Sequence, residues 1–491
     1  MSPAPPPAAP APGTPEPSSA APVPRVPGPA RVTVVGIGAD GWDGLPAASQ
    51  EVLRGAVALV GGARQLALLP AECAGERVPW PSPLRPAVPG LLAAHAGREV
   101  CVLASGDPMF HGIGRTLTEV LAEAGAAPPR VLPHPSSVSY ACARLGWPVE
   151  DTEVVTLVGR PLAGLAAALH DGRRLLVLSA GAETPAQVAG LLREHGFGPT
   201  RMRVLEQLGG PRERQAEVTA ADWPPPPATD ATDPTPTGHP LHAIDPLNVI
   251  ALDCSRAPEA LRLSAAPGLP DDAYEHDGQL TKRHVRAATL AALAPAPGEL
   301  LWDVGGGSGS IGIEWMRTHR TCRAVAVERD AVRAGRIARN ADALGVPALR
   351  VVTGPAPEAL AGLPAPHAVF IGGGLTAPGL LEACWAALPP GGRLVANTVT
   401  LESEVLLADW YRRHGGDLVR LAVAHAVPVG GFTGWRQAMP VTQWSVTKPA
   451  TPSPTAPSVP SAATAPSGTT APFATTDPIA PSDPTASGDA Q

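Results

Sequence analysis

The sequence lacks three features that would assign it to a broad class at once. Its six cysteines form no CxxC pair, no apolar run reaches about 18 residues, and its net charge of -7 leaves no basic stripe for nucleic-acid phosphates. These absences argue against a disulfide scaffold, a membrane span and a nucleic-acid partner. Because no basic and apolar leader opens the chain, we expect a cytoplasmic protein whose thiols are reduced and structural.

Metal-binding patterns are also missing. The chain contains no HxH or HExxH sequence and no clustered Cys/His spacing, so we expect no protein-bound metal.

Proline is present in excess, with 62 residues in the chain, and it is densest in three stretches that have almost no periodic apolar pattern. Residues 1–30 and 449–491 cannot bury enough apolar surface to offset the entropy of ordering, which predicts disordered tails. The third stretch, 223–240, is flanked by sequence of folded character and is interpreted as an expanded surface loop.

The remaining sequence alternates strand-like apolar runs with helical stretches, which predicts two α/β blocks joined by a linker. The first block covers 31–255, the linker 256–270 and the second block 271–448. The second block has short Gly/Pro connections between its elements and is interpreted as doubly wound. Its elements are predicted as helices 281–293, 311–319, 331–344 and 378–387 and strands 300–304, 324–328, 349–353, 368–371 and 393–398.

A glycine-rich turn in the second block predicts a nucleotide-like ligand. It lies between a strand and a helix, where missing Cβ atoms allow close backbone approach and the helix N-terminus favours polar groups. Ser310 replaces the last glycine of a dinucleotide fingerprint, and Glu328 ends the next strand, where an acid binds ribose hydroxyls. This combination favours S-adenosylmethionine. The candidate residues are Asp303, Gly305, Gly306, Gly307, Ser308, Gly309 and Glu328.

The first block carries a weaker glycine pattern. Gly36, Gly38 and Gly41 satisfy GxGxxG, but no acid near residue 60 is available for a ribose, so the dinucleotide interpretation fails. Gly36 and Gly38 remain candidate cofactor-binding residues for the methyl donor. A second turn follows an apolar strand, at the strand edge where open α/β sheets place ligands. Its candidate residues are Ser105, Gly106 and Asp107, although an isolated SGDP sequence is also typical of a plain β-turn.

The second block resembles the decarboxylating precorrin methyltransferase family over roughly residues 268–446. The resemblance rests on GLPDDAYEHDGQLTKRHVR, DVGGGSGSIGIEW, AVERD, TGPAPEAL, AVFIGGG and LPPGGRLVANTVTLESE, in that order. It implies methylation at C15 with loss of a ring acetate carboxylate, and it adds Thr281 and Ala356 to the methyl-donor site. Thr281 is also interpreted as the N-cap of the helix that follows it.

The first block is similar to the tetrapyrrole (corrin/porphyrin) methylase family, which implies methylation at C5. The motifs that carry this similarity are VVGIGADGWDGLPAAS, LASGDPMFHGIG, HPSSVSYACARLGWP and VLEQLGGPRER. Pro46 and Val158 depart from the family pattern. Together the blocks resemble the bifunctional precorrin-6Y C5,15-methyltransferase family, which implies a tetrapyrrole-methylase α/β domain followed by a Rossmann-like class I methyltransferase domain, with S-adenosylmethionine as cofactor.

Candidate groups for proton transfer lie at residue 276, at residue 425 and in the TKRHVR stretch that follows residue 280, and candidate cations for substrate carboxylates lie in that stretch. The helix start there would add its own preference for anions, although a solvated helix face is the competing interpretation. Imidazoles are candidate proton carriers by residue type, and surface or structural roles stay open for each. The cations are Lys282, Arg283 and Arg286, and the imidazoles are His276, His284 and His425.

Three alternatives stay open at this point. The chain could methylate RNA or another small molecule, or one of its blocks could be a binding module without catalysis. An RNA enzyme should add a basic groove, against which the acidic charge balance speaks. The expected partner is a small tetrapyrrole, without nucleic acid or membrane, and the sequence fixes no subunit count, so a homo-oligomer stays open.

Overall fold

The computed structural model describes residues 31–224 and 243–450. The predicted tail 1–30, nearly all of the predicted loop 223–240 and the tail beyond 450 lie outside these residues. The described part is α/β throughout, which confirms the predicted class. Within it, no helix has the length and apolarity needed to cross a bilayer.

The N-terminal half begins with a sheet of five parallel strands in the order β3-β2-β4-β1-β5. The central strands β1 and β4 are continuous apolar runs, because helices cover both faces of a parallel sheet. Helix α1 begins directly after Pro46, one of the two residues that depart from the family pattern. The elements are β1 (Arg31–Ile37), α1 (Ala47–Gly55), β2 (Ala58–Gly61), α2 (Ala63–Ala67), β3 (Glu76–Pro79), α3 (Leu84–Ala94), β4 (Glu99–Ser105), α4 (Ile113–Glu123) and β5 (Arg130–Leu132).

A second, mixed sheet completes this half in the order β6-β7-β10-β8-β9, with only β6 and β7 parallel. Strand β10 follows the predicted loop 223–240 and lies at the centre of the sheet, between β7 and β8. The N-terminal half therefore extends to Asp253. The elements are α5 (Ser137–Leu145), β6 (Glu153–Thr156), β7 (Arg174–Leu178), α6 (Thr184–Glu194), β8 (Arg201–Glu206), β9 (Arg214–Thr219) and β10 (Asn248–Asp253).

The C-terminal half is one seven-stranded sheet in the order β13-β12-β11-β14-β15-β19-β16. Apolar cores lie on both faces, which confirms the doubly wound prediction for the first five, parallel strands. The elements are α7 (Arg283–Leu293), β11 (Leu300–Val304), α8 (Ser310–Thr318), β12 (Arg323–Glu328), α9 (Ala331–Ala343), β13 (Arg350–Thr353), β14 (Ala368–Ile371), α10 (Leu380–Ala387), β15 (Arg393–Thr398), α11 (Leu401–His414), β16 (Asp417–Leu421), β17 (Ala424–Val429), β18 (Phe432–Gln437) and β19 (Val441–Thr447).

The segment after residue 398 was not divided into elements by the sequence analysis. Strand β19 runs antiparallel between β15 and β16, and β17 pairs with β18 as a separate hairpin. Two glycines, Gly430 and Gly431, connect the hairpin strands, and a two-glycine connection between apolar runs is the local signal that predicts such a turn.

The predicted linker 256–270 contains no helix or strand, but it is packed. The N–H of Ala257 donates to Gly196 at 2.8 Å in the N-terminal half, and Leu269 is buried in a core of the C-terminal half. This segment therefore contacts both the N-terminal and the C-terminal half.

The cysteines behave as predicted, since all six are buried free thiols. Burial raises the pKa of Cys101, Cys254 and Cys384 to about 12, which keeps these thiols protonated and unreactive.

Candidate functional site

The predicted donor turn of the C-terminal half joins β11 to α8, and its conformation requires glycine. Gly305 has φ +75, and a Cβ there would lie 2.7 Å from the backbone nitrogen of Gly373. Gly309 has φ +78, and its Cβ would lie 2.7 Å from Ile337 of α9. The turn therefore packs closely against α9 on one side and against a second glycine run, 372–374, on the other. The sequence analysis assigned no role to this second run.

Glu328 ends β12 beneath this turn. Its Oε2 accepts the N–H of Gly307 at 2.8 Å, and its Oε1 accepts the N–H of Asp330 at 3.0 Å. A carboxylate offers about four lone-pair positions, so both oxygens keep capacity for hydroxyl donors. The structure therefore brings the distal acid and the glycine turn together, as the donor-site prediction requires.

One buried polar atom in the turn has no partner. The hydroxyl of Ser308 is buried and makes no hydrogen bond within the described residues, while the carbonyl of Ser308 accepts from Asn340 at 2.9 Å. Buried polar atoms normally have a hydrogen-bond partner. A polar ligand bound at this glycine-rich turn would supply the partner that the Ser308 hydroxyl lacks. The turn fits a nucleoside-type ligand on this ground.

Asp303 supports the turn from inside. Its carboxylate is buried and accepts the N–H of Gly312 in the first turn of α8 at 2.9 Å. Burial raises the pKa of Asp303 to about 7, with the hydrogen bond from Gly312 opposing the shift and the Glu328 charge adding a smaller increase. Asp303 is therefore placed to hold the helix start, with no exposed surface for a ligand.

We expect Asp303 to make the free energy of unfolding fall between about pH 4 and pH 7. The folded pKa of about 7 exceeds the ordinary value of 3.8, so the folded state keeps a proton that the unfolded state releases in this window. The contribution of Asp303 to the free energy of unfolding is complete below this pH window and is lost above it. The loss amounts to about 4 kcal/mol, at ~1.4 kcal/mol per pH unit. Urea unfolding of wild type and Asp303→Asn across the window measures it, and parallel pH profiles would contradict it.

Arg286, a predicted candidate for binding substrate carboxylates, is neither accessible to a substrate nor on a solvated helix face. Its side chain is fully buried, where Nε donates to Glu314 at 2.5 Å and Nη1 to Asp271 at 3.1 Å. Glu314 also accepts the backbone N–H of Leu269 at 3.0 Å and the hydroxyl of Tyr274 at 2.8 Å. The Arg286–Glu314 ion pair therefore holds the segment 268–281 against α7 and α8. The periodicity of α7 places position 286 on its buried face and leaves Lys282 and Arg283 exposed.

The N-cap interpretation of Thr281 is wrong. Helix α7 begins at Arg283, its cap position is Lys282, and no side chain caps it. The carbonyl of Thr281 instead accepts from Arg286. The neighbouring Gln279 carbonyl would lie 3.2 Å from a Cβ on Gly307, so this segment passes over the glycine turn.

Of the predicted histidines, the structure brings two together. The rings of His284 and His425 lie 5.8 Å apart, which joins the start of α7 to the hairpin strand β17. His276 stays separate, and its Nδ1 accepts the N–H of Gly278 at 3.0 Å within its own turn. Ala356 follows β13 and packs half-buried against a core.

A polar group at β15 was missed by the sequence analysis. Asn397 donates to the buried hydroxyl of Thr289 at 2.8 Å, and Gln443 donates to Asn397 at 2.9 Å. These residues are 154 positions apart along the chain at their extremes, so no local pattern reveals the group. Asn397 lies near the carboxyl end of β15, on the same sheet edge as Glu328 and the glycine turn.

The N-terminal half has a cleft of about 350 Å³ between its two sheets. The carboxyl ends of β1 and β4 line one side through Gly38 and the Ser105–Gly106–Asp107 turn, and β10 lines the other through Asn248. The SGDP turn thus follows β4 and lines this cavity.

The two predicted turns of this half touch each other. A Cβ on Gly36 would overlap the carbonyl oxygen of Gly106 and lie 2.7 Å from the backbone nitrogen of His134. Gly106 itself has φ +58, and Asp107 accepts the N–H of Met109 at 2.8 Å. The glycines here serve close packing of three chain segments at the cleft.

A histidine and an aspartate near this packing were missed. His134 Nε2 lies 3.1 Å from Asp40 Oδ2, and His134 is buried. The second oxygen of Asp40 is buried without a hydrogen-bond partner among the described residues. Both residues fall inside motifs that the sequence analysis quoted, but 94 positions separate them.

A cation also enters the cleft. Arg64 and Gln65 both donate to the hydroxyl of Ser105 at 2.9 Å. Burial lowers the pKa of Arg64, and the charge of Asp245 opposes that shift. Val158, the second residue that departs from the family pattern, lines the cleft and is 60% exposed, so this departure does not affect a core.

Two family models match the chain. The family described as Tetrapyrrole (Corrin/Porphyrin) Methylases matches residues 31–224, and the Precorrin methyltransferase domain matches residues 272–448. A crystal structure of the C-terminal domain of precorrin-6Y C5,15-methyltransferase from Rhodobacter capsulatus is 51% identical and covers 38% of this chain and 100% of that chain, with a TM-score of 0.36.

Full-length relatives align through both halves. A precorrin-6Y C(5,15)-methyltransferase [decarboxylating] from Sinorhizobium sp is 48% identical over 417 residues, which is 85% of this chain and 96% of the relative. One of the same name from Mycobacterium tuberculosis (strain CDC 1551 / Oshkosh) is 50% identical over 417 residues, 85% of this chain and 100% of the relative. The chain therefore belongs to the decarboxylating precorrin-6Y C5,15-methyltransferase family.

Proposed function

We propose that this chain methylates precorrin-6Y at C5 and C15 and removes the carboxylate of the ring C acetate, giving precorrin-8X in cobalamin biosynthesis. The observation that carries the proposal is the alignment with full-length relatives of this name at 48% and 50% identity through both halves. The N-terminal half is assigned the C5 reaction, and the C-terminal half is assigned the C15 reaction with decarboxylation.

We propose S-adenosylmethionine as the methyl donor of both halves. It supplies a methyl group on a sulfonium, whose transfer needs a correctly held carbon nucleophile rather than a covalent enzyme intermediate. In the C-terminal half, Glu328 is positioned to accept the ribose hydroxyls, and the turn from Gly305 to Gly309 gives backbone approach without Cβ atoms. The free hydroxyl of Ser308 supports this placement.

The residues around the C-terminal turn then position an anionic substrate. Lys282 is 58% exposed and lies 3.9 Å from Asp271, a separation that leaves its ammonium available to a substrate carboxylate. The exposed His284 follows it in α7, and the exposed His425 of β17 lies against His284 with a ring separation of 5.8 Å. Arg286 acts differently, by fixing the segment that carries Thr281 over the turn.

In the N-terminal half, the cleft offers the donor the backbone of Gly38 and of the Ser105–Gly106–Asp107 turn. The guanidinium of Arg64 is the cation inside the cavity, and its bond to Ser105 fixes its direction. A half-buried cation in a partly apolar cleft attracts a carboxylate more strongly than an exposed one, because water screens it less.

The proposal is tested with the purified chain, S-adenosylmethionine and precorrin-6Y. We expect a product with two added methyl groups and one carboxyl group fewer, resolved by mass spectrometry. Donor labelled with carbon-13 in the methyl group lets NMR assign each methyl to C5 or C15. Folded protein that binds donor and leaves this substrate unmethylated would refute the proposal.

A further inference from the structure

Two glycines of the segment 36–44 leave space for the side chain of Asp40. A Cβ on Gly38 would lie 2.5 Å from Asp40 Oδ1, and a Cβ on Gly44 would overlap Asp40 Oδ2. Neither glycine has a positive φ, so backbone conformation does not require glycine at these two positions. The missing side chains instead make room for the Asp40 carboxylate beside the backbone of Gly38, which lines the cleft.

Asp40 is hydrogen-bonded to a histidine of a second segment of the cleft wall. His134 Nε2 lies 3.1 Å from Asp40 Oδ2, and the His134 side chain is 2% exposed. Because a carboxylate only accepts, Nε2 is the donor. Residues 37–39, before Asp40, and residues 135–137, after His134, line the cleft. The Asp40–His134 pair therefore joins two parts of the wall from behind.

Residues 38–40 depend on this pair because they lie beyond the sheet. Strand β1 pairs with β4 only as far as Ile37. After Ile37, a backbone hydrogen bond of 3.4 Å from Gly41 to the Gly38 carbonyl closes the turn, which is long for this type of bond. The bond from His134 is shorter and is shielded from water, so it restrains the Gly38 backbone more strongly.

The segment that carries His134 is itself held in place. Ser136 caps α5, where its hydroxyl accepts the N–H of Ser139 at 3.1 Å. A Cβ on Gly106 would lie 3.1 Å from the Cα of Ser136, so the segment also packs against the SGDP turn. His134 therefore fixes Asp40, and with it Gly38, relative to the other donor-binding turn of this half.

We propose that Asp40 and His134 are positioning residues for methylation at C5, because their hydrogen bond holds the Gly38 backbone in the arrangement that receives the methyl donor. The inference rests on the proposed function, in which Gly38 and the SGDP turn bind that donor. Both side chains act through the backbone of the wall rather than by contact with the donor.

The test uses Asp40→Ala in the full chain, with carbon-13 methyl donor and separate rates for C5 and C15. We expect the donor KM for C5 to rise about tenfold, because a wall that adopts the binding arrangement roughly a tenth of the time lowers the apparent affinity by that factor. The kcat for C5 should not change, since bound donor restores the arrangement. The donor KM for C15 should keep its wild-type value, because that site lies in the other half.

Further variants connect this effect to the hydrogen bond itself. Asp40→Asn keeps an oxygen for His134 and should raise the donor KM only about threefold, because a neutral hydrogen bond is roughly half as strong as a charged one. His134→Ala should match Asp40→Ala, and the double variant should add little, because both substitutions remove the same bond. Asp40→Asn equal to Asp40→Ala would show that this bond does not hold the wall.

Thr200→Ala is the control for a general loss of stability in the same half. It removes a fully buried hydroxyl that accepts the N–H of Ser255 at 3.1 Å and that belongs to no described residue lining the cleft. We expect a lower Tm and an unchanged donor KM for C5, because a smaller folded fraction reduces the apparent kcat and not the affinity.

The outcomes separate this inference from the function on which it rests. If the wild-type chain methylates neither position, the proposed function fails. If the wild type methylates both and Asp40→Ala keeps its donor KM at C5, the positioning role is overturned, whether or not kcat falls. An equal rise of the donor KM at C5 and C15 would also overturn it, because the pair belongs to one half.

Discussion

Replacing Arg286 with methionine should destabilise the C-terminal half by about 3–5 kcal/mol. The substitution leaves the buried Glu314 carboxylate without its cation, and removing one partner of a buried ion pair costs this much because the other charge stays desolvated. The carbonyls of Leu269 and Thr281 lose their donors as well. Urea unfolding followed by hydrogen exchange in peptides of α7 and α8 measures the loss, with α4 as the reference in the N-terminal half.

Two comparison variants make this expectation specific. Lys282→Met lies one turn earlier and removes a 58% exposed cation, so its cost should stay below about 1 kcal/mol. Glu314→Gln keeps one amide oxygen for the segment 268–274, and it should cost less than Arg286→Met. Equal stability of Arg286→Met and Lys282→Met would show that the buried pair does not hold this half together.

The role of Arg286 was predicted from its charge and not from its position on the helix. The stretch TKRHVR was interpreted by charge, whereas the buried face of α7 consists of Val285, Arg286, Thr289, Leu290 and Leu293. These positions follow the three- and four-residue spacing of one helix face, so the same periodicity that predicted the helix could have placed position 286 inward. A single charge on an apolar face then implies a buried partner, which the sequence does not identify.

The predicted strands were most accurate where burial was two-sided. The ranges 300–304, 368–371 and 393–398 coincide with β11, β14 and β15, because fully buried parallel strands are short continuous apolar runs between Gly/Pro turns. The hairpin of β17 and β18 is exposed on both faces, with Phe432 85% and Trp435 80% exposed, so its apolar residues follow no core-directed pattern. It was missed for that reason.

The site was predictable as far as local chain geometry determines it. The glycine turn and Glu328 are linked by the strand–turn–helix unit, whose spacing is visible in the sequence. The contacts of His134 with Asp40, and of Asn397 with Gln443, join distant segments through sheet topology and have no such signature. These pairs can be identified only after the strand order is known.

Replacing Glu328 with alanine should weaken one of the two proposed donor sites of the chain. In calorimetric titrations with S-adenosylmethionine we expect two sites in wild type. In Glu328→Ala, affinity at the C-terminal site should fall roughly tenfold to a hundredfold, since hydrogen bonds to a charged group contribute about 1.5–3 kcal/mol. The proposed N-terminal donor site, in the cleft lined by Gly38 and the SGDP turn, should keep its affinity because it shares no residue with the first.

A graded comparison separates ribose binding from support of the turn. Glu328 also accepts the N–H of Gly307, so alanine both loosens the turn and removes the acceptor. Glu328→Gln retains one oxygen for Gly307 but loses the charge, so it should give an intermediate affinity at the C-terminal site. The control Glu382→Ala, on the exposed side of α10, should leave the affinity of both sites unchanged. Two unchanged sites in Glu328→Ala would exclude Glu328 from the donor site. Loss of both would mean that the two halves bind donor as one coupled unit rather than independently.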